Sequence, residues 1–302
     1  GRLPDGRPRY RQRPNTLGAG GTSITDNAQD VLLFNSDQGY SWNASFQLDK
    51  RFDSGIYFGG SYTFQRAKDV NSGTSSVALS NYSNSASRDP NNAAYGISNY
   101  QYDSSWRIYL GYDAEIFKNA ATRFEIYYNS RSGQRYSYTF QDPTAGRSAV
   151  FGTTGANSRY LLYVPNVASP TADPLVTYAA GFDFTGFQSF IQEVLRREQG
   201  SIVGKNTGRS PRFNQVNIRV AQEIPFFFGS RIEGFVDVEN FLNLLNKDWN
   251  ALRQVGFPYY APIVNVACNN GNTLANPCTQ YIYSNFRRPN EALQTNLSLW
   301  QI

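Results

Sequence analysis

The feature that most constrains the fold is a strict two-residue alternation of apolar and polar side chains, sustained over long segments and repeated along the chain. Tyr40, Trp42, Ala44, Phe46 and Leu48 interleave with Ser41, Asn43, Ser45, Gln47 and Asp49. Beyond an Asp53-Ser54-Gly55 turn the pattern resumes, with Ile56, Phe58, Gly60, Tyr62 and Phe64 set against Tyr57, Gly59, Ser61, Thr63 and Gln65. Successive side chains of a strand point to opposite faces, so each segment has one oily and one wet face. The segments pair across short turns: 40–52 with 56–68, 104–116 with 122–140, and 213–224 with 231–242. Ser298, Trp300 and Ile302 open a seventh alternation. Between the pairs run long stretches without a sustained period, from Asp69 to about Asp103, over 141–212 and over about 243–292. The second of these holds an extended piece at 159–164 and a helix at about 186–198. There Phe187, Phe190, Ile191, Val194 and Leu195 form one stripe, read as docking on the rest of the protein.

Strands of this length, apolar outward and polar inward, are those of a transmembrane β-barrel. Soluble sandwiches use strands of roughly 5–6 residues. With 40% apolar residues and apolar runs no longer than the Ile224–Phe228 kind, a helical membrane protein is excluded. A barrel is not, because only alternate residues face lipid. The 21 Phe, 21 Tyr and 4 Trp suit the aromatic girdles of such barrels. The wet faces carry Arg107, Asp113, Glu115, Arg123, Glu125 and Arg131, then Arg219, Glu223, Glu233, Asp237 and Glu239. Such charges need water or partners. If the short turns are periplasmic, the seventh strand ends in the periplasm. Bacterial barrels usually have even strand numbers and no open edge in lipid, so further strands are expected from sequence outside this chain. A chain starting at Gly1, with no signal-peptide pattern, likewise reads as a piece of something longer.

The net charge of +5 is dispersed. Arg2, Arg7, Arg9, Arg11 and Arg13, interleaved with Pro4, Pro8 and Pro14, read as a solvated loop rather than a nucleic-acid arm. The absence of histidine removes the usual triads and zinc sites. Gly18-Ala19-Gly20-Gly21 lacks the spacing of a phosphate loop, and Glu193 and Glu198 do not share a helix face. No catalytic residue, metal, cofactor or enzyme activity is expected. Cys268 and Cys278 enclose an Asn-, Gly- and Pro-containing run that can fold back, so a disulfide and an oxidising compartment are expected. Tyr95, Tyr100, Tyr102, Tyr136 and Tyr138 are weak candidates for ligand contact; packing of loop on loop is the alternative.

Several segments, in this order, resemble the C-terminal part of the barrel of TonB-dependent outer-membrane receptors, most closely the Oar-like branch. They are Gly39-Tyr40-Ser41 leading to Leu48-Asp49-Lys50-Arg51-Phe52, then Ser61-Tyr62-Thr63-Phe64 and Leu161-Leu162-Tyr163-Val164-Pro165-Asn166. Arg212-Phe213-Asn214-Gln215-Val216-Asn217-Ile218-Arg219 and Gln222-Glu223-Ile224-Pro225 follow. Phe235-Val236-Asp237-Val238-Glu239-Asn240-Phe241-Leu242-Asn243 resembles the family's late strand, and Ser298-Leu299-Trp300-Gln301-Ile302 the opening of its closing strand. The resemblance implies a roughly 22-stranded barrel around an N-terminal plug. Residues 1–302 would be the C-terminal portion of that barrel, in the outer membrane of a Gram-negative bacterium. It further implies import of a large or scarce solute, energised by the TonB complex through the plug, with lipid and the solute as partners and no nucleic acid. A passive porin or surface adhesin would share the barrel pattern. This chain carries no plug and no TonB box.

Overall fold

The computed structural model describes residues 1–10, 31–92, 94–144, 147–153, 155–270 and 276–301. Arg11, Arg13, Pro14, the glycine run 18–21 and Ile302 lie outside the described residues. In chain order the strands that build the fold are β1 (Tyr40–Arg51), β2 (Ile56–Asp69), β3 (Ser104–Phe117), β4 (Ala120–Arg131), β5 (Arg135–Gln141) and β6 (Val176–Tyr178). There follow helix α1 (Phe184–Val194) and strands β7 (Gly208–Arg209), β8 (Phe213–Pro225), β9 (Arg231–Val238), β10 (Tyr260–Cys268) and β11 (Tyr281–Ser284).

The long strands form one antiparallel sheet in the order β1-β2-β3-β4-β8-β9, with a two-residue strand, Gly96–Ile97, beside β2. Tight turns join them at one end. Gly55 (φ 86°) and Asn119 (φ 58°) supply the left-handed residues that these turns require. The register carries the sequence alternation across the sheet. Phe46 pairs with Tyr62 and Tyr62 with Trp106, while Leu110, Ile126 and Ile218 form one row and Tyr112, Phe124, Val220 and Val236 another. One face is therefore mostly apolar, although the row of Leu110 and Ile126 runs through Phe58 to Lys50 at the β1 edge, and Arg66 and Lys68 stand on it at the cap end. No described residue covers it: Phe46 is 69% exposed, Leu110 50% and Val236 55%. The sheet is open, and β1 forms one edge. At the other edge Glu239, just past β9, exchanges two backbone hydrogen bonds with Gln301, at 2.8 and 3.2 Å.

The buried core is not in this sheet. The long connections all leave it at the end opposite the tight turns, and there they fold with residues 1–10 into a second body, a cap. Its mixed sheet has the order β7-β5-β10-β11-β6. β10 runs parallel to β5, and β6 parallel to β11. Phe140, Leu162, Ile263, Val264, Tyr281 and Tyr283 are fully buried there. The Phe, Leu, Ile and Val side chains among them each contribute ~1.5–3 kcal/mol by leaving water. Helix α1 starts where the Asp183 carboxylate accepts from the Gly186 amide at 2.8 Å. It buries Phe187, Phe190 and Ile191, with Phe187 against Phe286 at 5.5 Å.

Several expectations are corrected. The segment 122–140 is two strands in two sheets, parted at Ser132-Gly133-Gln134. Gly133 sits where the Ser210 and Pro211 backbone leaves no room for a Cβ, so the chain can turn into the cap only through a glycine. The strand expected to 242 stops at Val238; Asn240 is left-handed (φ 53°), and a short helix, Phe241–Leu245, follows. The expected seventh strand is reduced to the Gln301 bridge, because Ser298 belongs to a short helix, Thr295–Ser298. The helix expected at 186–198 is α1 followed by a 3-10 turn, Arg196–Glu198. Within 159–164 only Tyr163–Val164 forms a strand, pairing with Ser201–Ile202. The arginine-rich start is not a solvated loop throughout. Arg7 is buried, its Nε 2.8 Å from the Asp5 carboxylate and its guanidinium over the rings of Phe151 (5.3 Å) and Phe140 (5.5 Å).

Candidate functional site

The polar face of the long sheet divides into two halves. Near the tight turns its charges are paired. Arg123 reaches Glu223 at 2.7 Å and Asp113 at 3.8 Å, and also meets Glu233. Arg231 lies 2.6 Å from Glu223, Arg219 lies 3.3 Å from Asp237, and Arg51 pairs with Asp113. Glu223 and Glu233 are directly opposed in the register, a repulsive arrangement that Arg123 offsets by bridging both. Any one of these partly exposed pairs is worth little, but together they tie five strands across the face. Tyr109 Oη donates to Asp49 at 2.7 Å. Its ring fills the notch left by Gly59.

Toward the cap the pairing stops. A cleft of about 640 Å³ opens on this half, lined by Tyr102, Arg107, Asn129, Arg131, Phe213 and Gln215, with Glu239 at its far side. The register explains the grouping: Arg107, Asn129 and Gln215 form one row, and Ser105, Arg131 and Phe213 the row beside it. Among the described residues neither Arg107 nor Arg131 has a carboxylate partner. Arg131 is held instead between two rings, 5.0 Å from the centroid of Tyr102 and 5.8 Å from that of Phe213. This cation–π contact leaves the guanidinium edge free.

At the cap end of the sheet a latch joins cap to sheet. Asp103, nearly buried, meets Arg209 at 3.0 Å and Arg66 at 3.9 Å, and also pairs with Arg135. Burial pushes its pKa up, but the hydrogen bond and charge of Arg135, with Gln101 and Arg209, outweigh this and hold it below the usual carboxylate range. Beside it, buried Lys205 donates to Asp69 Oδ1 at 2.7 Å, and burial lowers its pKa. Asn206 Nδ2 donates to Asn99 Oδ1 at 2.6 Å.

Of the tyrosines singled out from the sequence, Tyr136 and Tyr138 are buried in the cap, packed edge to face at 5.3 Å, and present no surface to a ligand. Tyr95 is exposed, with the Lys68 ammonium 5.5 Å from its ring centroid, and Tyr100 is exposed. Only Tyr102 lines the cleft. Cys268 and Cys278 are bridged at a hairpin of the cap, with Cα atoms 5.4 Å apart. Sequence reasoning placed Arg107 and Arg131 on the wet face but missed Phe213, Asn129 and Gln215 as their neighbours. For Phe213 and Gln215 the missing signal was the β4–β8 register, which joins strands far apart in sequence; Asn129 follows from the local β3–β4 hairpin and alternation along β4. Among the described residues no group of His, Cys, Asp and Glu could hold a metal, and no helix is long and apolar enough to cross a membrane. Comparisons with protein-family models, with curated proteins and with solved structures find no match to this chain.

Proposed function

We propose that the chain is an arc of an outer-membrane β-barrel receptor that imports a large or scarce solute with energy delivered by TonB. The observation that supports the membrane-barrel part of this reading is the uncovered apolar face running across six long antiparallel strands, opposite a polar face bearing an ion-pair network. The TonB-energised part rests on the resemblance of the strand segments alone. Hydrocarbon suits the first face, whereas a water-filled or plug-filled lumen suits the second. Aromatic side chains concentrate toward the two ends of this face. Trp42, Phe64, Tyr62 and Trp106 lie toward the cap and Phe52, Tyr112 and Phe124 toward the turns, while the rows between carry Ile108, Leu110, Ile126 and Ile218 together with Phe58, Tyr128 and, at the edge, Lys50. Girdles of this kind mark the two interfaces of a bilayer. The free sheet edges would then pair with strands from further sequence, because unpaired backbone is not tolerated in lipid. Covering one end with a folded cap favours a receptor over a passive porin, whose entrance must stay open.

In this mechanism no residue performs covalent chemistry. The barrel is a scaffold, the cap presents the outer binding surface, and passage follows displacement of a plug. The test is to express the intact parent protein and follow membrane flotation and solute uptake with and without a functional TonB. Fractionation with soluble proteins would overturn the membrane reading, and uptake indifferent to TonB would overturn the energised one.

A further inference from the structure

We infer that the cleft beneath the cap is a binding site for an oxyanion, a carboxylate or phosphate carried on an aromatic or apolar body. The inference rests on reading the polar face as the inside of the receptor. The first argument is the distribution of charge. On the turn half of the face Arg51, Arg123, Arg219 and Arg231 each meet a carboxylate. Arg107 and Arg131, on the same face and adjacent strands, meet none among the described residues, although the same strands carry acids further down. The face is thus neutralised at one end and left positive at the other.

The second argument is preorganisation. Arg131 is fixed between Tyr102 and Phe213, so little side-chain freedom is lost when its planar fork engages an anion. Arginine forks bind carboxylate and phosphate through paired N–H···O bonds, and these charge-assisted bonds are among the stronger hydrogen bonds available. Asn129 and Gln215, beside Arg107 in the same row, offer amide groups with no side-chain partner among the described residues. The rings of Tyr102 and Phe213 that hold Arg131 also give the cleft apolar walls. Glu239, also lining the cleft, lies three strands from Arg107, roughly 14 Å at the usual strand spacing. That separation leaves the positive end free for an anion and directs any cationic or donor group of the solute the other way.

The test uses the intact receptor in detergent and three matched probes: benzoate, phenyl phosphate and neutral benzyl alcohol, with binding read by saturation-transfer NMR. Benzoate or phenyl phosphate should bind and benzyl alcohol should not, and whichever anion binds more tightly identifies the source of the oxyanion. In the Arg107→Gln/Arg131→Gln double variant the anion affinity should fall at least tenfold, while Arg51→Gln should leave it unchanged. A single Arg107→Cys variant should react with a membrane-impermeant maleimide on whole cells, a readout that does not depend on probe affinity. Equal binding of the neutral probe, undiminished binding by the double variant, or absence of binding by either anion would overturn the site. So would an introduced thiol shielded from the reagent, because the cleft would then be filled by the receptor's own chain. TonB-dependent uptake without anion binding would sink this site alone, whereas anion binding without TonB dependence would sink only the import reading.

Discussion

The ring of Tyr57 fills the space that a Cβ on Gly111 of the neighbouring strand would need, and its hydroxyl donates to Glu125 one strand further on, at 2.6 Å. All three residues lie in one register row on the polar face. A glycine inside a strand is otherwise a weakness, and here it is the seat for a cross-strand ring. Gly111→Val should force Tyr57 off its seat and lower stability by about 1–3 kcal/mol, as overpacking does. Tyr57→Phe keeps the ring and should lose roughly 1.5–3 kcal/mol with its hydrogen bond to a charged group. Urea titration of the intact protein in lipid vesicles measures both, and a Gly111→Val protein as stable as the wild type would show that the notch is unimportant.

Ile108 and Tyr109 are neighbours on opposite faces. Ile108 belongs to the uncovered apolar face, whereas Tyr109 reaches Asp49 across the polar one. Ile108→Arg should therefore impair membrane assembly, costing ~2–4 kcal/mol if the site is near mid-bilayer. Tyr109→Arg should be milder, since Asp49 remains within reach as a partner. Folded yield in the outer-membrane fraction decides, and equal tolerance of the two changes would count against the facing.

The Asp103 latch implies a pH dependence of definite sign. A carboxylate whose folded pKa lies below its unfolded value contributes stability that is fully present above the unfolded value, ~3.9, and is lost as pH falls through the folded one. The melting temperature of the wild-type protein should therefore drop between about pH 5 and pH 2 more steeply than that of Asp103→Asn. At neutral pH the variant should be less stable by roughly 1.5–3 kcal/mol, the range for hydrogen bonds to a charged group. Parallel melting curves for the two proteins over that interval would mean that Asp103 does not hold the cap.

Arg7 and Asp5 form an ion pair with almost no exposure inside the cap, 2.7 Å apart. Arg7→Met should strand the Asp5 carboxylate in an apolar surrounding and cost about 3–5 kcal/mol. Adding Asp5→Leu should restore most of that loss, because a buried pair exchanged for apolar side chains is often neutral. Thermal melting of the two variants measures the difference. A double variant no better than the single would mean that the backbone of residues 1–10, rather than the charge pair, carries the docking.

Most of the long sheet was legible: five of its strands start where the alternation begins, at Tyr40, Ile56, Ser104, Phe213 and Arg231, whereas β4 starts at Ala120 rather than 122 and ends at Arg131, and β9 ends at Val238 rather than 242. The cap was not. β10 is buried on both faces and pairs in parallel with β5, so Tyr260–Cys268 presents a nearly unbroken apolar run instead of an alternation. Arg131 shows the same limit within the candidate site. Its place on the polar face follows from counting along β4, but its two flanking rings come from Tyr102 and from Phe213 on β8, beyond the whole cap segment.

Local periodicity thus fixes which way each side chain faces, because a strand's geometry repeats every two residues regardless of what surrounds it. Which strands become neighbours, where the charges find partners and where two arginines are left without one depend on pairings between distant segments. Those pairings are settled by the packing of the cap and the register of the sheet, and no short stretch of sequence encodes them.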